Sequence, residues 1–209
     1  MRLVVSTIIK ESGDTGSQWR VRYSLTVPDW QCDFFRLTST RGAGNGKSFK
    51  YFAIRPGDCF MADQGFGHIA GIGHVHRHGG SVIVRLHDPN TPLEKEDGSQ
   101  VVLLEWLGKL SRSGQVGGMS IWIPAEKGSQ KRIQARLCAI RKNVEDTMLA
   151  ERKLRRRASR KQSILRKTTL DRSAWIVALA TVERVALSDV EVLEWYRVSW
   201  EIELTFNRH

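Results

Sequence analysis

The sequence predicts an α/β protein, a mixed sheet with helices, interrupted by a β-rich insertion before the last helix. Runs of β-branched and alternating residues, separated by glycine-bearing turns, recur in the first ninety residues. A short apolar run then ends on an acidic residue and is followed by a weakly helical stretch and another strand. The last segment carries apolar residues at helical spacing.

The first forty-six residues predict a meander of three strands. Leu3 to Ile9 is rich in Val, Thr and Ile, and Trp19 to Leu25 alternates strictly. The stretch Ser12–Gly16 predicts a turn between them. A third strand is expected near Phe34 to Thr38, followed by a loop at Arg41–Gly46.

The next forty residues predict a strand, a helix and another strand. Arg55–Asp58 indicates a turn, and Cys59–Asp63 is a short apolar run typical of a buried strand. Gly67 to His78 has weak helical character, and Ser81–Leu86 predicts the second strand. Asp63 is therefore expected at the C-terminal end of a strand.

The middle of the chain predicts an insertion. Its expected elements are a helix at Leu103–Leu110, strands at Ser120–Ile123 and Arg132–Leu137, a long basic helix at Val144–Lys167 and a returning strand at Trp175–Thr181. The last helix is expected to begin at Ser188, because Glu191 completes a capping box with it. The predicted organisation is a first core part at 1–87, an inserted β-rich and basic subdomain at 88–183 and the final core helix at 184–209.

The charge of the chain is concentrated in one segment. The net charge is +11, and nine basic residues with no acid lie between Arg152 and Lys167. A solvated helix is one interpretation, but unopposed cations repel one another and favour contact with phosphate. The residues predicted to contact DNA are Arg152, Lys153, Arg155, Arg156, Arg157, Arg160 and Lys161.

Cysteine usage and hydropathy indicate a soluble protein of a reducing compartment. Cys32, Cys59 and Cys138 are odd in number and far apart, which argues against a disulfide framework or a structural zinc site. No stretch approaches the length of a membrane span, and the N-terminus lacks a signal-peptide pattern. A cytoplasmic location is expected.

The order of the predicted elements is that of a ribonuclease-H-like nuclease. A carboxylate on the last helix can point back at a carboxylate on a strand end, and Tyr196, Ser199 and Glu203 lie on one face of that helix. Metal-dependent phosphodiester cleavage needs such carboxylates to hold two divalent ions. Oxygen ligands favour Mg²⁺ or Mn²⁺, so Asp63 and Glu203 are the predicted metal ligands.

The same residues resemble the insertion-sequence-four family of bacterial DDE transposases. That family carries a Tyr-x-x-Arg-x-x-x-Glu-x-x-x-x-x-x-Lys signature on its last helix, and Tyr196 and Glu203 match it in spacing. The stretch Ala62–Phe66 is similar to the family's Asp-Arg-Gly-Tyr/Phe motif, with Gln64 in place of arginine. The resemblance implies catalytic roles for Asp63, Glu203 and Tyr196, and cutting and joining of insertion-element ends. It also implies double-stranded DNA as partner, a homodimer in a synaptic complex and a nucleoid-associated location.

Three departures from the family pattern predict a damaged copy. Val5 stands where the family has its first aspartate, and Ser199 stands where it has the signature arginine. The signature lysine would fall one residue beyond His209, so a C-terminal truncation is expected. Loss of a shared ligand should cost most of the activity. The alternative is a DNA-binding or interfering fragment that does not cut.

A third hypothesis uses the histidines. His74, His76 and His78 would share one face of a strand and could bind a transition metal. They lie instead in a glycine-flanked segment expected to be helical or a loop, with no obvious fourth ligand.

Overall fold

The fold described here is that of a computed structural model. It describes the backbone of residues 1–10, 18–40, 47–86, 92–125 and 131–206, and the side chains of these residues except those of 9, 10, 18 and 199–206. The predicted turn at Ser12–Gly16 and the predicted loop at Arg41–Gly46 lie outside the described residues, as does the predicted boundary near Asp88.

The described residues form eight strands and five α-helices. The strands are β1 (Arg2–Lys10), β2 (Gln18–Thr26), β3 (Cys32–Ser39), β4 (Cys59–Ala62), β5 (Ser81–Arg85), β6 (Val116–Ile123), β7 (Ile133–Arg141) and β8 (Trp175–Ala180). The helices are α1 (Ile69–Arg77), α2 (Leu103–Gly108), α3 (Val144–Arg160), α4 (Lys167–Arg172) and α5 (Asp189–Phe206). Short 3₁₀ helices lie at Phe49–Tyr51 and Gln64–Phe66.

All eight strands belong to one mixed sheet, in the order β3-β2-β1-β4-β5-β8-β7-β6. β1, β2 and β3 form the predicted antiparallel meander, and β4 and β5 join parallel to β1. β8, β7 and β6 continue the sheet from β5 with antiparallel pairing. This α/β architecture is compatible with a ribonuclease-H-like fold.

The segment 88–183 was predicted to be an inserted subdomain. Its three strands are hydrogen-bonded into the same sheet as β1 to β5, so they share its two faces. The domain boundaries at 87 and 183 stay a prediction.

The central strands are buried on both faces, which explains their nearly continuous apolar sequence. One face carries Phe60 and Ala62 and is covered by α1 and by an aromatic cluster that includes Phe49 and Phe66. The other face carries Met61 and is covered by α5. The alternation along β4 therefore sends successive side chains into two separate cores.

The long basic helix is shorter than predicted. α3 ends at Arg160 instead of Lys167, and α4 begins as a separate helix at Lys167. Lys161 caps α3, and Gln162 adopts a left-handed backbone with φ of 48°. Because Arg, Lys, Gln and Ser are all tolerated in helices, composition gave no signal for this stop.

No helix in the described part of the chain is long and apolar enough to cross a membrane.

Candidate active site

The candidate site lies at the end of the sheet where the parallel strands β4 and β5 end, beside the middle of β1. In the register of β1 and β4, Val4 lies opposite Ala62. One residue further along, Val5 is level with Asp63, the first residue after β4. In the family that the sequence resembles, these two positions hold the first and the second catalytic aspartate. At position 5 this chain offers a buried valine, 3 % exposed, and no oxygen.

Asp63 is present where it was predicted, directly after the buried strand, and its carboxylate has two partners. Oδ1 accepts a hydrogen bond from the backbone N–H of Gly65 at 2.9 Å, which caps the 3₁₀ helix at Gln64–Phe66. Oδ2 forms an ion pair with Nζ of Lys47. The side chains of Asp63 and Lys47 are 21 % and 26 % exposed. The carboxylate therefore acts as a capping group and a salt-bridge partner.

Lys47 is held at Asp63 by a histidine. The Nδ1 of His68 accepts the backbone N–H of Gly71 at 2.9 Å, which leaves the proton on Nε2. Nε2 then lies 3.2 Å from the carbonyl oxygen of Lys47 and can donate to it. The ammonium of Lys47 also lies 6.0 Å from the centre of the Phe66 ring. Sequence reasoning missed Lys47, because nothing in its local pattern links it to a residue sixteen positions further on.

The start of α5 is attached to the sheet by a polar network. The predicted capping box is confirmed: Ser188 N–H donates to the Glu191 carboxylate at 2.7 Å, and Glu191 N–H donates to the Ser188 hydroxyl at 3.2 Å. Asp189, the first helical residue, lies 3.4 Å from Nε of Arg136 and 3.0 Å from Nη2 of Arg184.

Cys138 of β7 completes this network, since its Sγ lies 3.4 Å from Asp189 Oδ1. Burial, reinforced by the charge of Asp189, raises the pKa of the Cys138 thiol to about 12. The position next to it across the ladder is Gly118 of β6. A Cβ at Gly118 would collide with the Asp189 carboxylate, so a larger residue there would force that side chain to move.

α5 places two predicted residues on its sheet-facing side. Val192 and Leu193 are buried in the core, and Tyr196 is 7 % exposed. Position 203 falls on the same helical face as Val192 and Tyr196. The side chain of Glu203 lies outside the described residues, and so does that of Ser199. The catalytic roles of Asp63, Tyr196 and Glu203 stay predictions.

Of the two predicted metal ligands, only Asp63 has a described side chain, and Asp63 alone does not make a two-metal centre. Such a centre needs oxygen ligands shared between the ions. Position 5 supplies none, and both oxygens of Asp63 are engaged by Gly65 and Lys47. Within the described ranges, no group of three or more His, Cys, Asp or Glu side chains could hold a metal ion.

The histidines are arranged on a helix, as the glycine-flanked sequence predicted. His74 and His76 lie in α1 and His78 is its C-cap. The rings of His74 and His78 are 4.5 Å apart, and Nδ1 of His78 lies 2.8 Å from the carbonyl oxygen of His74. Burial, with a further contribution from His78, lowers the pKa of His74. These contacts place the three histidines at and near the C-terminal end of α1.

The basic helix α3 presents the predicted DNA-contacting residues to solvent. All seven, at positions 152, 153, 155, 156, 157, 160 and 161, are exposed, and no residue of α3 is buried. Asn143 caps the helix by accepting the backbone N–H of Asp146 at 2.7 Å. Arg155 lies 3.8 Å from Glu151, an exposed pair that contributes little. Half-exposed positions such as Leu154 and Ala158 lie opposite the cationic side.

The chain is similar to transposases of bacterial insertion sequences. It is 26% identical over 212 residues to the putative transposase InsL for insertion sequence element IS186A of Escherichia coli (strain K12). The identity is again 26% over 212 residues with the transposase for insertion sequence element IS421 of Escherichia coli. Each alignment covers 100% of this chain and 56% of the relative, so the chain spans about half the length of the curated relatives it matches. No protein-family model matches the chain.

Proposed function

We propose that this chain is the core of a DNA transposase that binds double-stranded DNA and is impaired in strand cleavage. The observation that carries the proposal is the alignment of its entire length with insertion-sequence transposases. The sheet order, in which parallel β4 and β5 join an antiparallel meander, is compatible with the nuclease fold that the sequence predicts.

DNA binding is assigned to the cationic side of α3. A helix of 17 residues is about 25 Å long, enough to follow several phosphates of a duplex. Contacts of this kind position the DNA and carry no sequence information by themselves. They also make binding steeply dependent on salt, because neutralised phosphates release counterions.

The test of DNA binding is a salt titration with a fluorescent duplex. We expect the magnitude of the negative slope of log K against log[NaCl] to fall by about 2.7 when Arg152, Arg156 and Arg160, which lie on one face of α3, are all replaced by glutamine. Each lost phosphate contact is worth about 0.9. A slope that is unchanged by the triple substitution would contradict the assignment.

Impaired cleavage is proposed from the state of the two aspartate positions. The reaction implied by the resemblance is hydrolysis at the element end, followed by attack of the freed 3′-hydroxyl on target DNA. Asp63 and Glu203 would supply carboxylates, with Tyr196 as a positioning residue. Val5 supplies no ligand and Lys47 neutralises Asp63. Losing one member of such a site typically costs orders of magnitude in rate, since the residues act as a unit.

The second candidate is a DNA-binding or interfering fragment with no cleavage activity, and the ion pair between Lys47 and Asp63 favours it. A cleavage assay on element-end DNA with Mg²⁺ or Mn²⁺ distinguishes the two. Cutting that is abolished by Glu203→Gln supports an impaired enzyme. Binding without cutting, in both the wild type and Glu203→Gln, supports the fragment.

We also propose that the chain is a member of the insertion-sequence-four family, because the spacing of Tyr196 and Glu203 matches the signature of that family. The corresponding partner is a second copy of the chain in a complex that pairs two element ends, and the corresponding location is the bacterial nucleoid. Chemical crosslinking in the presence of element-end DNA tests the pairing: a dimer that forms only with DNA supports it, and a monomer under all conditions contradicts it.

A further inference from the structure

A second group of cations lies on the same sheet edge as Asp63, apart from the seven residues of α3. Arg85 is the last residue of β5, Lys142 follows the end of β7, and Arg172 ends α4. We call these three residues the edge cluster. None was among the residues predicted to bind DNA, because they are 30 to 87 positions apart and come together only in the fold.

The register of the sheet places Arg85, the first member of the edge cluster, beside the candidate active site. Ala62 of β4 pairs with Val84 of β5, so the next residues, Asp63 and Arg85, are level on adjacent strands. Neighbouring strands are about 4.8 Å apart. β7 runs in the same direction as β5, because both pair antiparallel with β8. Lys142, which follows β7, therefore lies at the same end of the sheet, four residues beyond Cys138, the residue level with Arg85.

The protein holds these cations in place with backbone carbonyls. Nζ of Lys142 donates to the carbonyl oxygen of Ser173 at 2.8 Å, and Nη2 of Arg172 donates to the carbonyl oxygen of Leu86. The neutral carbonyl oxygen of Ser173 orients the Lys142 ammonium without cancelling its charge. In the described part of the chain, no carboxylate lies within salt-bridge distance of Arg85 or Lys142.

The members of the edge cluster repel one another. Burial and then the charge of Arg85 lower the pKa of Lys142, and the same two causes lower the pKa of Arg172 to about 10. Asp146 acts on Lys142 in the opposite direction, and Lys153 of α3 adds further repulsion. A fold that gathers partly buried cations against this repulsion gives up stability, as functional sites commonly do.

The charge of Lys153 in α3 acts on Lys142, so the edge cluster and the basic part of α3 lie within electrostatic range of each other. Lys142 stands one residue before Asn143, the N-cap of α3, so the edge cluster adjoins the start of that helix, whose first turn carries Glu145 and Asp146. The cations of α3 begin at Arg152, beyond this acidic turn. Guanidinium and ammonium groups arranged in this way match successive phosphates of a nucleic acid backbone.

We propose that Arg85, Lys142 and Arg172 form a second phosphate-binding site, which contacts the backbone of double-stranded DNA and leads the duplex from α3 to the sheet edge at Asp63. This inference rests on the proposed function, in that it takes DNA to be the ligand of α3. The additional claim is that three further residues contact the DNA backbone and that the duplex runs from α3 toward Asp63.

The experiment measures the affinity of a fluorescent 24-base-pair duplex between 50 and 200 mM NaCl, with EDTA present so that binding alone is observed. Arg85→Gln and Lys142→Gln each remove one charge and keep a hydrogen-bonding side chain. The matched control is Arg132→Gln, which removes an equal charge just before the start of β7, at the opposite edge, where Arg132 pairs with Glu94 at 3.4 Å.

We expect each edge substitution to weaken binding at 50 mM NaCl and to reduce the loss of affinity across this salt range by about 3.5-fold, the factor for one phosphate contact. The double substitution should reduce it by about 12-fold, and Arg132→Gln should leave it unchanged. If the edge variants behave like Arg132→Gln while the triple substitution in α3 still reduces the magnitude of the salt slope, the proposed edge site is wrong. DNA binding by α3 is then still supported. A wild-type chain that does not bind the duplex overturns the proposed function as well.

Thermal unfolding keeps the inference testable if a variant binds poorly for structural reasons. Because the edge cluster is repulsive, Arg85→Gln and Lys142→Gln should unfold at or above the wild-type temperature. Weakened DNA binding together with lowered thermal stability in both variants would overturn the proposal, since it would assign these residues a structural role.

Discussion

The attachment of α5 to the sheet gives the most direct test of the structure. Asp189 lies between Arg136, whose side chain is 6 % exposed, and Arg184, whose side chain is 56 % exposed. Replacing Asp189 by alanine leaves the guanidinium of Arg136 buried without its carboxylate. Removing one partner of a buried ion pair costs roughly 3–5 kcal/mol. Arg136 keeps its hydrogen bond to the carbonyl oxygen of Leu187, and Asp189 is itself 20 % exposed.

We therefore expect Asp189→Ala to lower the free energy of unfolding by about 3 kcal/mol, the low end of that range. The matched control is Arg184→Ala, which removes the exposed partner of the same carboxylate and should cost roughly 0–1 kcal/mol. Urea unfolding followed by circular dichroism at 222 nm measures both changes.

A double variant distinguishes the cost of leaving the Arg136 charge unpaired from the cost of losing the packing of the Asp189 side chain. Arg136→Met combined with Asp189→Ala should be more stable than Asp189→Ala alone, because no unpaired guanidinium is left in the core. Equal losses for Asp189→Ala and Arg184→Ala, or a double variant less stable than Asp189→Ala, would refute the reasoning.

Three further outcomes follow from the described contacts. At pH 8, exposed Cys32 should react rapidly with a thiol reagent, whereas Cys138 should stay unmodified in the native state because burial raises the pKa of its thiol to about 12; rapid labelling of Cys138 would contradict its placement. Ser188→Ala should lower the free energy of unfolding by about 1 kcal/mol at pH 7. Hydrogen bonds from Ser188 hold the pKa of Glu191 below its ordinary value of 4.5, so the loss should shrink as the pH falls below 4.5 and Glu191 becomes protonated. A loss that is independent of pH between 3 and 7 would contradict the capping box. Phe66→Ala should lower stability by about 3–5 kcal/mol, since the ring is fully buried; a loss under about 1 kcal/mol would place Phe66 outside the core.

Local sequence predicted most elements because their signals are local. Strict alternation in Trp19–Leu25 predicted β2, and the apolar run ending at Asp63 predicted β4. The capping box at Ser188 gave the start of α5 to within one residue. The end of α3 at Arg160 was not predicted, since the residues that follow it are ordinary helix formers.

What the sequence determined by itself about the site is the identity of its positions: Asp63 after a strand, Val5 in place of a carboxylate and a block of cations at Arg152–Lys161. The tertiary structure decided how those positions are used. It brought Lys47 to the Asp63 carboxylate and made β6, β7 and β8 part of the same sheet as β1. It also gathered Arg85 and Lys142 at the same end of the sheet as Asp63. The physical reason is that ion pairs and charge clusters depend on distances in space, whereas hydrophobic period and capping depend only on neighbours along the chain.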